Sequence, residues 1–589
     1  MGLLVIAVVT MVVLTAGYLL YGTFVARQYA LDDEAETPAV RRNDGIDFVP
    51  TRPFYLMSQH FSAIAAAGPI AGPILACMAF GWLPCLLWIG IGVVFIGAVH
   101  DFSALVASVR HGAHSIAEIA RETLGRRAYL SLCAFIWIAL VYVIIAFTQI
   151  TAGSFVGVSE ELEGLGTTFN KGGAVAMSST LYLALALVMG VVQRVVRPPM
   201  WLATLIFVPL TLGCVWAGTR LDEVLVLPAK GWFVLILGYC FVASMLPVWL
   251  LQQPRGYLGG FVLYLALGIG AAGILLGGFE IRQPMLSENA KDLLSPLSSL
   301  KKADVPVTSM LFPFLFVTIA CGACSGFHGL ICGGTTSKQI ARESHCKPIG
   351  FGAMLLEGFV AVIALATVMM LAPADAARSN PARIYGDGLA SFLEVFLGGG
   401  AFLFCATFGA MAFSTFVFDT LDVSTRLGRY LVQELFGASG RAAGVVGAAV
   451  TAGTPLAILL STSPDGWRVF WTLFGTSNQL LAALTLLGVT LWLRRIGKRY
   501  WYTLLPMVFV MAVTLTALAL QIWLGVRDAS AGAWRVTKGG ATSLNPTILN
   551  APVALALLAL AGVFIVEALR TVSRREGRPA GGGSGGSPR

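Results

Sequence analysis

Apolar runs of about 20 residues return along this chain from end to end, and that is the length an α-helix needs to cross the hydrocarbon core of a bilayer. Leu3 to Val25, Trp201 to Gly218 and Val553 to Val566 with its flanks are examples, and roughly 15 such spans can be marked out. A soluble fold cannot bury that many, and the composition agrees: of 589 residues, 57% are hydrophobic and 12% charged. The 66 glycines and 26 prolines would damage soluble helices. In membrane helices they are tolerated where neighbours satisfy the freed backbone groups, and small residues let helices approach closely. The chain is therefore read as an all-α polytopic membrane protein, with one transmembrane domain over residues 1–573. A tail over 574–589 ends in GGGSGGSPR, low-complexity sequence of the kind found in linkers, and is expected to be disordered.

The net charge of +9 does not point to nucleic acid, because the Lys and Arg residues sit mainly in short loops between apolar runs, where they orient the helices. Arg110, Arg121, Arg126 and Arg127 share one loop, and Arg194 and Arg197 lie two crossings on. The same parity places Lys338 to Lys347, Arg426 to Arg441, Arg494 to Arg499 and Arg570 to Arg575 on that side, which the positive-inside rule makes cytoplasmic. The acidic stretch Glu160 to Glu163, with Glu280 to Asp304 and Asp375 to Asp387, falls on the other. The mixed segment Leu31 to Pro53 is read as a cytoplasmic loop, and the carboxyl terminus is expected inside. Met1 to Val25 lacks a basic n-region and an A-x-A cleavage site, so it reads as a retained first helix. No connecting segment reaches the ~50 residues of a soluble domain, so the bundle itself must carry the function. Neither G-x-x-x-x-G-K-[ST] nor H-E-x-x-H occurs. No catalytic residues, metal ligands or cofactors are expected, and the cysteines, Cys321 and Cys324 included, read as isolated buried thiols.

Ionisable groups and helix breakers inside apolar spans are where chemistry can sit, since a charge at the bilayer centre costs about 2.5–3.5 kcal/mol on insertion scales. In HFSAIAAAGPIAGP, His60 to Pro73, the pairs Gly68-Pro69 and Gly72-Pro73 interrupt a helix that also carries Ser62. In CGACSGFHGLICGG, Cys321 to Gly334, dense glycines surround Ser325, Gly326 and His328. The loop parity gives these two segments opposite sense, the arrangement from which inverted-repeat transporters build a midplane binding site. A packed kink and a hydrogen-bonded core histidine are the plainer readings. His60, Ser62, Gly68, Gly72, Ser325, Gly326 and His328 are thus candidate substrate contacts. Asp101, beside His100 in a long span, and Glu357, in GAMLLEGFVAV, are candidate proton or ion carriers. So are Asp419 and Asp422, i and i+3 on one helical face, although Arg426 offers them a salt bridge. Arg255, in QQPRGYL, is a candidate anion partner. Asn478 and Gln479 read as glue between helices.

The runs HFSAIAAAGPIAGPILA, GAVHDFSALVASVRHGAHSIAEIARETLG, VASMLPVWLLQQPRGYL, ACGACSGFHGLICGGTTSKQIARES, TLDVSTRLGRYLVQE and LFGTSNQLLAALTLL, in this order from about His60 to Trp501, resemble the carbon starvation protein A (CstA) family. That family is in turn similar to the amino acid, polyamine and organocation transporter superfamily. The resemblance implies inverted repeats with discontinuous helices and a carrier in the bacterial inner membrane that serves starving cells. It implies peptides or pyruvate as substrate, protons or sodium as coupling ion, and room for a small accessory subunit. The family's paired histidine stands here as Gln59-His60, which counts against a role needing two adjacent imidazoles. A nutrient sensor signalling through a partner, or a subunit of a larger membrane complex, are the alternative functions.

Overall fold

The computed structural model describes residues 2–44, 48–157, 159–161, 168–287, 310–377, 379–398, 402–438, 440–462, 467–538 and 541–576. Parts of the acidic stretches at 160–163 and 280–304, and residues 577–589 of the expected tail, lie outside them. Among the described residues twelve helices are long and apolar enough to cross a membrane, thirteen with one bent pair, slightly fewer than the roughly 15 spans read from hydropathy. In chain order the main helices are α1 (Leu3–Tyr29), α2 (Pro53–Ile64), α3 (Gly68–Phe80), α4 (Trp82–Arg110), α5 (Arg126–Phe155), α6 (Lys171–Val195) and α7 (Met200–Arg220). Next come α8 (Ala229–Met245), α9 (Gln252–Leu276), α10 (Leu311–Thr318), α11 (Gly326–Ile331), α12 (Glu343–Met369) and α13 (Pro381–Leu397). The chain ends with α14 (Phe402–Leu435), α15 (Arg441–Ser461), α16 (Arg468–Arg495), α17 (Trp501–Ser530) and α18 (Pro546–Glu576). Two short antiparallel ribbons join α5 to α6, with Ser159 opposite Asn170, and α17 to α18, with Arg535 opposite Leu544. The shortfall in spans lies in helices that are short, like α8, or broken, like α10 and α11.

The two interruptions expected from glycine and proline are present, and each has a visible cause. Pro69 has no amide to give the Ala65 carbonyl, so the α2–α3 pair bends by 44° at Ala65 to Ala67, whereas Pro73 stands inside α3. Between α10 and α11 no proline intervenes; side chains from other helices hold the break open. The last carbonyls of α10 accept from Gln479 Nε2 (Phe316 O, 2.9 Å), Trp471 Nε1 (Thr318 O, 3.2 Å) and Trp88 Nε1 (Ile319 O, 3.3 Å). At the start of α11 the Phe327 amide donates to Asn478 Oδ1 at 2.9 Å. Helix-end groups that would be orphaned in lipid are thus satisfied across the bundle.

The broken helices pass each other with almost no side chain between them. A Cβ on Gly72 would stand 2.7 Å from the Thr318 carbonyl oxygen, and one on Gly68 would collide with Cys321. As the numbers rise from 68 to 72 the partner falls from 321 to 318, so the segments run antiparallel, as the loop parity expects. At one end of the bundle Arg110 donates to Glu343 from Nε (2.9 Å) and Nη2 (2.8 Å), and Asp33 accepts the Ser344 amide at 2.8 Å. Three of the segments read as cytoplasmic, those holding Asp33, Arg110 and Glu343, therefore meet at a common end.

Candidate functional site: a buried histidine–carboxylate relay

Where α4, α11 and α12 cross beside the two breaks, four titratable side chains come together with no exposure to solvent. Glycines make the crossing tight: a Cβ on Gly97 would strike the Ala323 carbonyl, and one on Gly350 would stand 2.9 Å from Phe102 Cα. Wide π-helical turns at Val93–Gly97, Cys332–Thr336 and Lys347–Gly352 adjoin the same region, each shifting the side chains that follow around the helix axis. Asp101 lies at the centre. Its Oδ1 is 2.7 Å from His100 Nδ1 and its Oδ2 is 2.8 Å from His328 Nδ1. His328 Nε2 then stands 3.2 Å from Glu357 Oε2, near but not in hydrogen-bond alignment.

The chemistry of this row follows from what each group can do. An ionised carboxylate only accepts, so Asp101 orients both imidazoles with Nδ1–H toward it and leaves Nε2 of each facing away. His328 Nε2 and the Glu357 carboxyl can then exchange one proton, held by either partner, shielded from bulk solvent. Among the described residues, His100 Nε2 and both Glu357 oxygens have no hydrogen-bond partner. His60, in the last turn of α2, bonds through Nδ1 to Thr336 Oγ1 at 2.8 Å, and its Nε2 has no partner among the described residues.

A second charged group lies two residues further along α2. Ser62 Oγ donates to Asp419 Oδ2 at 3.1 Å. Arg255, wholly buried, donates to Asp419 Oδ1 from Nε (3.1 Å) and Nη2 (2.6 Å), to Tyr239 OH from Nη1 (2.7 Å), and also to Asp422. Tyr239 OH donates to Asp422 Oδ2 at 2.8 Å. This corrects the pairing drawn from sequence. Asp419 and Asp422 are buried in the bundle and face Arg255, whereas Arg426 donates to the Ala243 and Leu246 carbonyls. Arg255 in turn is no vacant anion site, because two carboxylates already engage it.

The family model for "Carbon starvation protein CstA" matches residues 2–386 and 374–517 of this sequence. The chain belongs to the CstA family. Among its relatives, the peptide transporter CstA of Bacillus subtilis (strain 168) is 33% identical, over 97% of this chain and 97% of its own length. The pyruvate/proton symporter BtsT of Escherichia coli (strain K12) is 30% identical, over 88% of this chain and 81% of its own. Among solved structures the chain is similar to the Eremococcus coleocola manganese transporter, at 11% identity and TM-score 0.47 over 89% of this chain and 98% of that one. This CstA-family protein is a multi-pass membrane transporter.

Of the residues that stand out in this sequence, Asp101, His328 and Glu357 meet in the relay, while Ser62, Asp419 and Asp422 meet in the second cluster. The open faces of Gly68 and Gly72 are filled by the facing break, and that of Gly326 by the α16 backbone at Asn478 to Ala482. Ser325 is held by Asn478, whose Nδ2 donates to its Oγ at 3.0 Å. His100, Tyr239 and Thr336 join these clusters without a mark in the pattern of spans and breaks; the adjacent His-Asp pair inside an apolar span is the signal for the first. Replacing Asn478 with Leu leaves the Phe327 amide unpaired in a buried site. We expect the variant to lose about 1–3 kcal/mol of stability, read as a lowered melting temperature in detergent.

Proposed function

We propose that this protein is a proton-coupled secondary transporter that imports a small solute, a peptide or a monocarboxylate such as pyruvate, across the bacterial inner membrane. The carboxyl terminus faces the cytoplasm in this reading. The observation that carries it is the buried row His100–Asp101–His328–Glu357 beside two crossed helix breaks. A carrier needs a group whose charge changes with the proton it bears and whose neighbours move between two access states. Glu357 and His328 exchange the coupling proton, Asp101 holds the histidines in register, and the breaks provide the hinge. Substrate binds next to His60 and Ser62, which touch the relay side and the Arg255 side of the same helix end. Gly68, Gly72, Ser325 and Gly326 shape that place by letting the breaks meet. Protons rather than sodium are the proposed coupling ion, in keeping with the name of the E. coli relative.

The test is uptake of labelled alanyl-alanine and of labelled pyruvate into proteoliposomes under an inward proton gradient. Accumulation of one of them above equilibrium, collapsing when a protonophore is added, is the expected result. Uptake that ignores the gradient would remove the coupling assignment.

A further inference from the structure

The relay and the Arg255 cluster leave a cleft at the opposite end of the bundle from Arg110 unaccounted for. It lies between the end of α5, the starts of α6 and α13 and the first turns of α14, with Val156, Gly172, Asn380 and Ala410 among its walls. Unlike the glycines of the crossed breaks, Gly153 in this wall faces open space, with nothing within 4 Å of where its Cβ would stand. The cleft has a volume of about 70 Å³, several times the ~10–15 Å³ that one water molecule needs, so a carboxylate group fits.

The charges in it favour an anion. Lys171 Nζ and Arg383 Nε approach the same carboxylate, Asp387, at 3.5 and 3.6 Å, and all three side chains line the cleft, partly exposed. Among the described lining residues that is two cations to one anion. Both α6 and α13 begin here, capped by Asn170 and Asn380, so the positive ends of two helix dipoles lie at the same place.

A second observation leads inward. One turn deeper than Gly153 on the same face of α5, Gln149 is 5% exposed, and neither its Oε1 nor its Nε2 has a partner among the described residues. The hydroxyls of Thr148 and Thr151 beside it are likewise buried without one. The preceding Phe147 packs on Trp471, ring centroids 6.2 Å apart, and Trp471 donates to Thr318 at the α10–α11 break. Polar groups that no side chain satisfies thus run along α5 from the cleft toward the crossed breaks, and they suit the passage of a polar solute.

We infer that this cleft is the entry subsite of the carrier, where Lys171 and Arg383 bind the carboxylate of the incoming solute. An ammonium and a guanidinium side by side recognise a carboxylate through charge-assisted hydrogen bonds, and Asp387 between them sets their positions. The inference rests on the transport reading and deepens it, since a carboxylate is a group that pyruvate and a dipeptide share.

Acetylation of the purified full chain in detergent with an N-hydroxysuccinimide ester, read residue by residue by peptide mass spectrometry, tests it. We expect excess pyruvate or alanyl-alanine to slow modification of Lys171 at least ~5-fold, as a largely occupied site implies, while pyruvamide and alanyl-alaninamide leave it unchanged. Lys230, exposed at the start of α8, should react at one rate throughout. Arg383→Gln should raise the acid concentration that gives half-protection at least ~10-fold, and Arg383→Lys should restore it. Equal protection by acids and amides, no protection of Lys171 by either acid, or half-protection unmoved in a folded Arg383→Gln protein would overturn the inference. The first two outcomes are read on the unaltered protein, so a misfolded variant leaves the question decidable. Lys171 protected in a protein that accumulates neither solute would keep the subsite and remove the coupled-import reading; accumulation with Lys171 unprotected would do the reverse.

Discussion

Glu357→Gln is expected to reduce gradient-driven accumulation to the level of protein-free liposomes while leaving exchange of substrate across the membrane measurable. The amide has nearly the shape of the acid but cannot take or release a proton at neutral pH, so His328 Nε2 loses its exchange partner at 3.2 Å. Net uptake requires the proton to leave on the inner side; exchange requires only that loaded carrier reorient. Asp101→Asn should lose accumulation too, for a different reason. Its amide nitrogen presents donors to one of two imidazoles that now share its two oxygens at 2.7 and 2.8 Å, so one histidine must change tautomer. Unchanged accumulation in both variants would place the coupling elsewhere.

The largest loss of stability is expected from Arg255→Leu. That side chain is completely buried and serves both Asp419 and Asp422. Removing it leaves two carboxylates in an apolar bundle with Tyr239 and Ser62 as their remaining partners. Breaking a buried pair from one side costs about 3–5 kcal/mol, and the melting temperature in detergent should fall accordingly. Combining Arg255→Leu with Asp419→Asn and Asp422→Asn removes the unpaired charge and should recover much of the loss. A single variant as stable as the parent would mean that water reaches the cluster.

Much of this architecture was legible because its causes are local. Pro69 deletes an amide donor wherever it stands in a helix, so the first break could be placed from residues alone, while Pro73 is absorbed inside α3. The glycines of Cys321 to Gly334 marked the second, and basic loops set the parity that makes the two segments antiparallel. The partners were not legible, because they are set by tertiary packing. Asn478, Gln479, Trp471 and Trp88 reach the α10–α11 break from distant parts of the chain, and nothing near Ser325 announces them. Asp419 and Asp422 were paired with Arg426 because it lies within one helical turn of Asp422. The cation that meets them, Arg255, lies 164 residues before Asp419. Similarly, Asp101 and Glu357 stood out by their cost in hydrocarbon, but that His328 joins them depends on a crossing of α4, α11 and α12 through glycines.

If substrate and proton move together through the relay, proton movement itself is the readout nearest to the coupling step. Proteoliposomes loaded with a pH-sensitive dye, held at equal pH on both sides with the membrane potential clamped, would be given external substrate. The unaltered protein is expected to show an inward proton flux that starts with substrate addition, and Glu357→Gln to show substrate exchange without that flux. Substrate uptake by the unaltered protein with no change in internal pH, or the same flux in Glu357→Gln, would contradict it.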